Sequence, residues 1–307
     1  MQELIINKND INKRLDNFLK KVLPKISLSG IFKAIRNNRI KVNDKKITFN
    51  YKLNLNDKVQ IYLNDDLLLK ASNSEDFLKV SKNLDIVYED ENILIVNKPI
   101  GLVVQDDETH TIDTLNNRIK HNLFNKGEWE YKNEYSFAPS LVHRLDKNTS
   151  GLIMAAKNAE SLNILNQKIK QHQIDKYYLC EVYGIMQPKN GVLNDYLTKD
   201  ANNKIVKVSK KPLNLHSQQI ITEYRTISHD NKSSLLEVKL VTGKTHQIRA
   251  HMDFVGHPLV GEKKYTTKEY SRYLPKSFQR LKAYKIVFNF KTDAGVLNYL
   301  KNKIIKL

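Results

Sequence analysis

The sequence predicts an α+β protein, in which a domain built around a mixed sheet follows a small basic α/β module. Short apolar runs of strand-like composition recur from residue 84 onward, with a few segments of helical period between them. Residues 1–63 contain 14 Lys or Arg and five Asp or Glu, so half of the net charge of +18 lies on a fifth of the chain. Residues 64–83 mix Asn, Ser, Asp and Lys without a clear period. We therefore expect a module at 1–63, a linker at 64–83 and a second domain at 84–307.

Composition excludes several classes of protein. No apolar stretch reaches 18 residues, so a transmembrane helix is not expected, and the N-terminus lacks the basic start and apolar run of a secretory signal. The single cysteine, Cys180, excludes a disulfide framework and a thiolate zinc cluster. We expect a soluble, cytoplasmic, monomeric protein. The positive charge predicts a partner with dense negative charge, nucleic acid above all.

The basic module is predicted to begin with two helices. Apolar residues at helical spacing mark the first helix over residues 15–22, and Pro24 ends it. Ser29 is the predicted N-cap of the second helix, which carries Lys33 and Arg36 on one face. A charged helix of this kind also occurs as a solvated face on many small domains.

A basic strand follows the second helix over residues 39–43, then a turn over 43–45 and one or two short strands within 55–63. This order of elements resembles the S-four-type RNA-binding module. In that module the second helix and the following turn form a basic surface that faces RNA. The resemblance implies RNA contacts from Lys33, Arg36, Arg39 and Lys41.

In the second domain, residues 84–88 and 93–97 predict a hairpin, and residues 159–172 predict a helix. The last 11 residues, 297–307, have apolar residues at helical spacing and predict a basic helix. Further strands are predicted over residues 152–156, 178–182, 220–224, 235–241 and 286–290.

One polar segment between two apolar runs carries candidate chemistry. Residues 141–152 read Leu-Val-His-Arg-Leu-Asp-Lys-Asn-Thr-Ser-Gly-Leu. Asp146 lies where a turn leaves an apolar run, so its carboxylate can project into a cleft. From the residues alone two interpretations stay open. Asp146 forms a plain ion pair with Arg144, or it acts as a nucleophile or base held by nearby donors.

The same segment resembles the signature of the RluA-type pseudouridine synthases, His-Arg-Leu-Asp-x-x-Thr-Ser-Gly, and matches it at every defined position. Four other segments occur in the order of that family. Residues 95–101 resemble its Asn-Lys-Pro-x-Gly motif, 176–179 its Lys-x-Tyr motif, 241–251 its Gly-Arg/Lys-Thr-His-Gln-Ile-Arg motif, and 256–259 its Gly-His-Pro-Ile/Leu element. The resemblance covers residues 84–290. Together with the S-four-type module, it indicates the RluC and RluD branch, which acts on large-subunit ribosomal RNA.

This resemblance implies a mostly antiparallel central sheet and an enzyme that isomerises uridine to pseudouridine in ribosomal RNA without metal or cofactor. It makes Asp146 the catalytic carboxylate, acting at ribose C1′ or at the 2′ position. Arg249 becomes its counter-ion, bound through the two hydrogen bonds that a guanidinium can give a carboxylate. The family's tyrosine is Tyr178, which stacks on the turning uracil. Arg144 is linked to flipping the uridine, and Lys98 is a further RNA contact.

Two departures from the family pattern concern the surroundings of the cleft. Val103 and Val104 replace small residues after the Asn-Lys-Pro-x-Gly motif, and Lys282 replaces a histidine. A different class of protein, a non-catalytic RNA-binding assembly factor on the same fold, stays open as an alternative. It would not need Asp146 and Arg249 in intact motifs. A nucleoside hydrolase is disfavoured because the sequence has no acidic metal cluster to hold a water.

Overall fold

The computed structural model describes residues 1–63, 75–105, 110–200, 205–265 and 278–307. Its N-terminal part packs two helices on a three-stranded antiparallel sheet of order β1-β3-β2. The elements are β1 (Gln2–Ile5), α1 (Leu15–Val22), α2 (Leu28–Arg36), β2 (Ile40–Val42) and β3 (Lys58–Ile61).

The predicted apolar stripe of α1 forms the centre of this small core, since Leu15, Phe18 and Leu19 have no exposed surface. The N-cap of α2 is Ser27 rather than the predicted Ser29, because the Ser27 hydroxyl accepts a hydrogen bond from the Gly30 N–H at 3.2 Å. Strand β1 was not expected.

The larger part of the chain contains an 11-stranded sheet. Its strands are β4 (Ile86–Glu89), β5 (Ile93–Lys98), β6 (Ser140–Leu141), β7 (Ser150–Ala156), β8 (Ile174–Tyr183), β9 (Asn190–Asp200), β10 (Ile205–Ser209), β11 (Gln218–His229), β12 (Ser233–Leu240), β13 (Leu281–Phe288) and β14 (Ile304–Lys306). Its helices are α3 (Leu115–Asn125), α4 (Ala159–Lys170) and α5 (Gln247–Phe254).

The strand order is β10-β9-β11-β12-β8-β13-β7-β5-β4, with β14 beside β13 and β6 beside β7. Every pairing is antiparallel except that of β7 with β13. The predicted mixed, mostly antiparallel sheet and the α+β class are therefore confirmed.

Both faces of the sheet are covered around β5 and β7. Along β5, Leu94 and Val96 belong to one buried cluster, whereas Ile93 and Ile95 belong to another. This alternation is the period of two that a strand imposes on its side chains. The motif segments of β5 and β7 therefore lie on well-packed strands, side by side at the same end of the sheet.

The C-terminal prediction is wrong. Residues 297–307 form the end of a 3-10 helix (Gly295–Leu300) followed by β14, which pairs with β13. Leu297 and Leu300 are three residues apart and share one face of the tighter helix. Asn302 then adopts a φ of 64°, which ends the helix before Ile305 enters the sheet.

Part of the predicted linker, residues 64–74, lies outside the described residues. From residue 75 the chain forms a short 3-10 helix (Glu75–Lys79) whose Phe77 is buried in the core of the large sheet. The rings of Trp129 and Tyr131 each lie 5.3 Å from that of Phe77. This segment packs with the second domain.

The N-terminal part contacts the large sheet's domain through the loop of residues 133–136 and through the start of α4, where the Ala159 N–H donates to the Asn9 side chain at 2.9 Å. Asn9 donates to the Glu134 carboxylate at 2.7 Å, and Lys13 donates to the Ser136 hydroxyl at 2.5 Å. The ring of Phe18 packs edge-on against that of Tyr135. Among the described residues, no helix is long and apolar enough to cross a membrane.

Candidate active site

Asp146 lies on the connection between β6 and β7. This connection is at the end of the sheet where β5 also ends. The Thr149 N–H closes a turn by donating to the Asp146 backbone carbonyl at 3.0 Å. Gly151 follows with a φ of 111°, and a Cβ atom there would lie 2.0 Å from the Ala283 carbonyl oxygen. Only glycine permits this close approach of β7 to β13. The signature motif therefore combines a projecting carboxylate with a backbone contact that fixes its strand.

Arg249, on α5, joins Asp146 across the cleft. Its Nη1 lies 2.7 Å from Oδ2 of Asp146, although the two residues are 103 positions apart in sequence. The guanidinium uses its other edge on Glu262, with Nε 2.6 Å from Oε2 and Nη2 3.0 Å from Oε1. The two-bond fork that was predicted for Asp146 is therefore made with Glu262, and that detail of the prediction is wrong.

Glu262 is completely buried, and this burial decides its electrostatic role. Burial opposes the charge of Glu262, but the hydrogen bonds and charge of Arg249 lower the pKa of this carboxyl below its ordinary value. Burial likewise opposes the charge of Arg249, while Glu262 and Asp146 together raise its pKa. One guanidinium thus contacts both carboxylates and keeps the buried Glu262 ionised.

Tyr178 lies in the same row of the sheet as the signature motif. Gly151 pairs with Lys98 of β5 and with Ala283 of β13, and Ala283 pairs with Tyr178 of β8. Burial raises the pKa of Tyr178, and the negative charge of Asp146 raises it further, so the hydroxyl stays protonated. Within the described ranges, no group forms a hydrogen bond with this hydroxyl.

Lys98 does not have the predicted contact with RNA. Its side chain has no exposed surface, and its ammonium group donates to the backbone carbonyls of Pro99, Leu102 and Lys147 at 2.9, 2.9 and 3.0 Å. These three bonds use all the hydrogens of the ammonium. Burial lowers the pKa of Lys98 to about 8, against the opposing effect of Asp146. The prediction is wrong for Lys98, which ties the loop after β5 to the loop that carries Asp146.

Arg144 is exposed and makes no ion pair or hydrogen bond with any residue that the structure describes. The plain ion pair with Asp146, one of the two interpretations left open by the residues, is therefore absent. Lys33, Arg36 and Arg39 are exposed on α2 and just after it, without an ion pair to a described residue. Lys41 is half-buried, and its ammonium lies 5.6 Å from the centre of the Tyr62 ring.

Two residues that contact Asp146 or Arg249 were missed. Glu262 holds the fork of Arg249, and the Nε2 atom of His246 lies 3.7 Å from Oδ2 of Asp146. His246 stands within the recognised motif 241–251, so its position gave a signal. Glu262 gave none, since an acidic residue after a glycine is common. No group of three or more metal-ligating side chains occurs in the part of the chain that the structure describes.

Comparison with known families agrees with this architecture. A family model described as RNA pseudouridylate synthase matches residues 92–254, and a model described as S4 domain matches residues 13–59. The chain belongs to the RNA pseudouridylate synthase family and carries an S4 domain. The predicted membership of the RluA-type synthases, and with it the isomerase class, is confirmed.

Individual relatives extend the match to nearly the whole chain. An uncharacterized RNA pseudouridine synthase of Mycoplasma capricolum is 38% identical over 316 residues, which cover 99% of this chain and 97% of the relative. The ribosomal large subunit pseudouridine synthase C of Buchnera aphidicola is 31% identical over 284 residues, which cover 90% of this chain and 84% of the relative. The structure of human RNA pseudouridylate synthase domain containing 1 has the same fold, with a TM-score of 0.55 and 22% identity over 69% of this chain and 81% of that one.

Proposed function

We propose that this protein isomerises specific uridines to pseudouridine in ribosomal RNA, the large-subunit RNA above all, with Asp146 as the catalytic carboxylate. The observation that carries the proposal is the 2.7 Å contact between Arg249 and Asp146 within a loop that matches the family signature. The relative from Buchnera, whose name specifies the large ribosomal subunit, supports the choice of RNA.

Isomerisation breaks the bond between N1 of uracil and C1′ of ribose, turns the base, and joins C5 to C1′. The proton on C5 is lost and N1 gains one, so atoms and oxidation level balance without a further reactant. Asp146 either attacks C1′ or removes the 2′ proton. Both roles need an ionised carboxylate in a cleft that excludes water, where an uncompensated charge would take up a proton. Arg249 supplies the compensating charge, and Glu262 holds Arg249 in place.

A base within an RNA helix or loop must leave its stack before it reaches Asp146. The exposed guanidinium of Arg144, two residues before Asp146, is placed to occupy the vacated position and to contact phosphates. Tyr178 offers an apolar ring for the uracil to stack on and a protonated hydroxyl for its polar edge.

We propose that residues 1–63 bind RNA and that residues 84–307 carry out the catalysis. The exposed cations of α2, Lys33 and Arg36, and nearby Arg39, bind phosphates without reading the sequence. Lys41 lies at the border of this surface. Phosphate contacts bring the chain onto RNA, and the shape of the RNA selects the uridine.

The alternative function is a non-catalytic assembly factor that binds the same RNA. The two functions are separated by measuring tritium release from transcripts of large-subunit ribosomal RNA labelled at uracil C5, with wild-type protein and Asp146→Asn. Asparagine keeps the size of the side chain and removes its charge. We expect release by the wild type, a loss of at least about 100-fold in the variant, and similar RNA affinity for both. Equal release by both proteins refutes the role of Asp146, and absence of release by the wild type favours the assembly factor.

A further inference from the structure

His246 lies beside Asp146 in the left-handed backbone conformation, which is uncommon among residues other than glycine. It is the N-cap residue of α5, with φ 54° and ψ 19° in the left-handed region. Its side chain makes no capping hydrogen bond with the helix. Helix capping therefore does not account for the conformation, and residues held in this region concentrate at functional sites. What the conformation achieves is to turn the imidazole toward Asp146 on one side and Tyr265 on the other.

The contact with Tyr265 favours one tautomer of the ring. The Tyr265 hydroxyl lies 2.5 Å from Nδ1 of His246, and the same oxygen accepts a hydrogen bond from the Val206 N–H at 3.3 Å. A hydroxyl oxygen has two lone pairs, so the bond from Val206 does not by itself set the direction of the Tyr265 hydrogen. In the arrangement that uses this hydrogen, it points at Nδ1. Nδ1 is then the acceptor, and Nε2 carries the ring proton.

The charges around His246 favour the neutral ring. Burial lowers the pKa of His246, and the positive charges of Arg249 and Lys264 lower it further against the opposite effects of Asp146 and Glu262. At neutral pH the residue is therefore an uncharged donor. It adds a directed N–H to the site without adding to the net charge.

Two donors converge on the same oxygen of Asp146. Arg249 Nη1 lies 2.7 Å from Oδ2, and His246 Nε2 lies 3.7 Å from it. Oδ1 accepts no hydrogen bond from any described residue. Contacts of catalytic groups are often long in the free enzyme and shorten when substrate fills the cleft.

We infer that His246 is a positioning residue whose neutral Nε2–H, together with Arg249, holds Oδ2 of Asp146 and leaves Oδ1 to face the nucleoside. The inference rests on the proposed function of Asp146. It assigns the two carboxylate oxygens different tasks, with Oδ2 anchored to the protein and Oδ1 free to act on ribose.

Two substitutions at His246 separate this role from a purely structural one. Asparagine adopts the left-handed conformation readily but has no donor at the position of Nε2. Glutamine is less suited to the backbone but places its amide nitrogen near that position. We expect His246→Asn to lower kcat by about 10- to 100-fold with KM for RNA changed by less than about twofold, because the donor that faces Oδ2, and that we infer to bind it when substrate fills the cleft, is lost. His246→Gln should recover part of kcat.

His172 provides the matched control. It is exposed, has a φ of 53°, and lies after α4, away from Asp146. His172→Asn and His172→Gln should leave kcat, KM and Tm unchanged. If His246→Asn does not fold, Tyr265→Phe gives a second variant, because it removes only the hydroxyl that orients the ring. We expect a smaller loss of kcat from it than from His246→Asn.

Tritium release at saturating RNA and nitrogen NMR of the histidine rings together decide the inference. Higher activity of His246→Asn than of His246→Gln, or wild-type kcat in His246→Asn, overturns it. The NMR measurement does not depend on turnover. It should find His246 as the Nε2–H tautomer at neutral pH, and an Nδ1–H or doubly protonated ring would also overturn the inference. A wild type that releases no tritium while His246 has the expected tautomer contradicts the proposed function instead.

Discussion

Replacing Glu262 by Gln tests how the site keeps Arg249 in position. Glu262 is fully buried, accepts two hydrogen bonds from Arg249, and accepts a third from the Lys264 N–H at 2.7 Å. A glutamine can keep its oxygen on Lys264, but its NH₂ group then faces the Nε–H of Arg249. A hydrogen bond of 2.6 Å is thereby replaced by two opposed donors.

The expected cost follows from breaking a buried ion pair while its cation stays. Such losses amount to about 3–5 kcal/mol, and we take the lower end because Arg249 keeps its contact with Asp146. For a chain of this size, about 3 kcal/mol corresponds to a fall in Tm of about 5–10 °C. Without its fork, Nη1 of Arg249 is no longer aimed at Oδ2 of Asp146. We therefore also expect kcat to fall by about 10- to 100-fold.

Thermal unfolding and tritium release from uridine-labelled RNA measure the two effects separately. Glu237→Gln is a suitable control, because Glu237 also accepts bonds from several partners, Arg225 and Lys285 among them, but faces away from Asp146. It should leave kcat near the wild-type value. A Glu262→Gln variant with wild-type kcat and wild-type Tm would refute the reasoning.

Three further predictions follow from the same contacts. Arg249→Lys should lower kcat by at least about 10-fold in the tritium assay although the charge is kept, since a lysine cannot contact both carboxylates in the geometry of the guanidinium; wild-type activity would contradict this. Replacing Lys33, Arg36 and Arg39 together by Gln should weaken RNA binding and flatten the plot of log affinity against log salt; an unchanged slope would show that these cations do not contact phosphates. Gly151→Ala should lower the unfolding free energy by at least about 3 kcal/mol, measured by denaturant titration, because its Cβ would meet the Ala283 carbonyl at 2.0 Å; a smaller loss would mean that β13 moves aside easily.

Sequence patterns predicted most of the strands that have long apolar runs, because a buried strand concentrates β-branched and aromatic residues. They failed for β9 and β10. Strand β9 mixes polar residues with its apolar ones, and two of its buried side chains, Asp195 and Thr198, are polar. The buried Asp195 contacts His251 of α5 at 3.0 Å and Lys210 at 2.8 Å, and such tertiary contacts are not visible in a local window.

In the candidate site too, the sequence predicted some residues and missed others. Motif resemblance indicated Asp146 and Arg249, which the fold brings into contact from distant segments. It gave no information on the second carboxylate, Glu262. The role of Glu262 depends on which way the Arg249 guanidinium points in the folded chain. Lys98, in the segment that resembles the Asn-Lys-Pro-x-Gly motif, was predicted to contact RNA. Its burial by three backbone carbonyls is a property of the folded loops alone.

Mapping pseudouridines at nucleotide resolution in large-subunit ribosomal RNA tests the central claim most directly. Cells that lack this protein would be compared with the same cells carrying either the wild-type chain or Asp146→Asn at equal abundance. We predict that one or more positions are pseudouridine with the wild type and uridine in both other strains. Modification of these positions by Asp146→Asn, or identical maps in all three strains, would contradict the account.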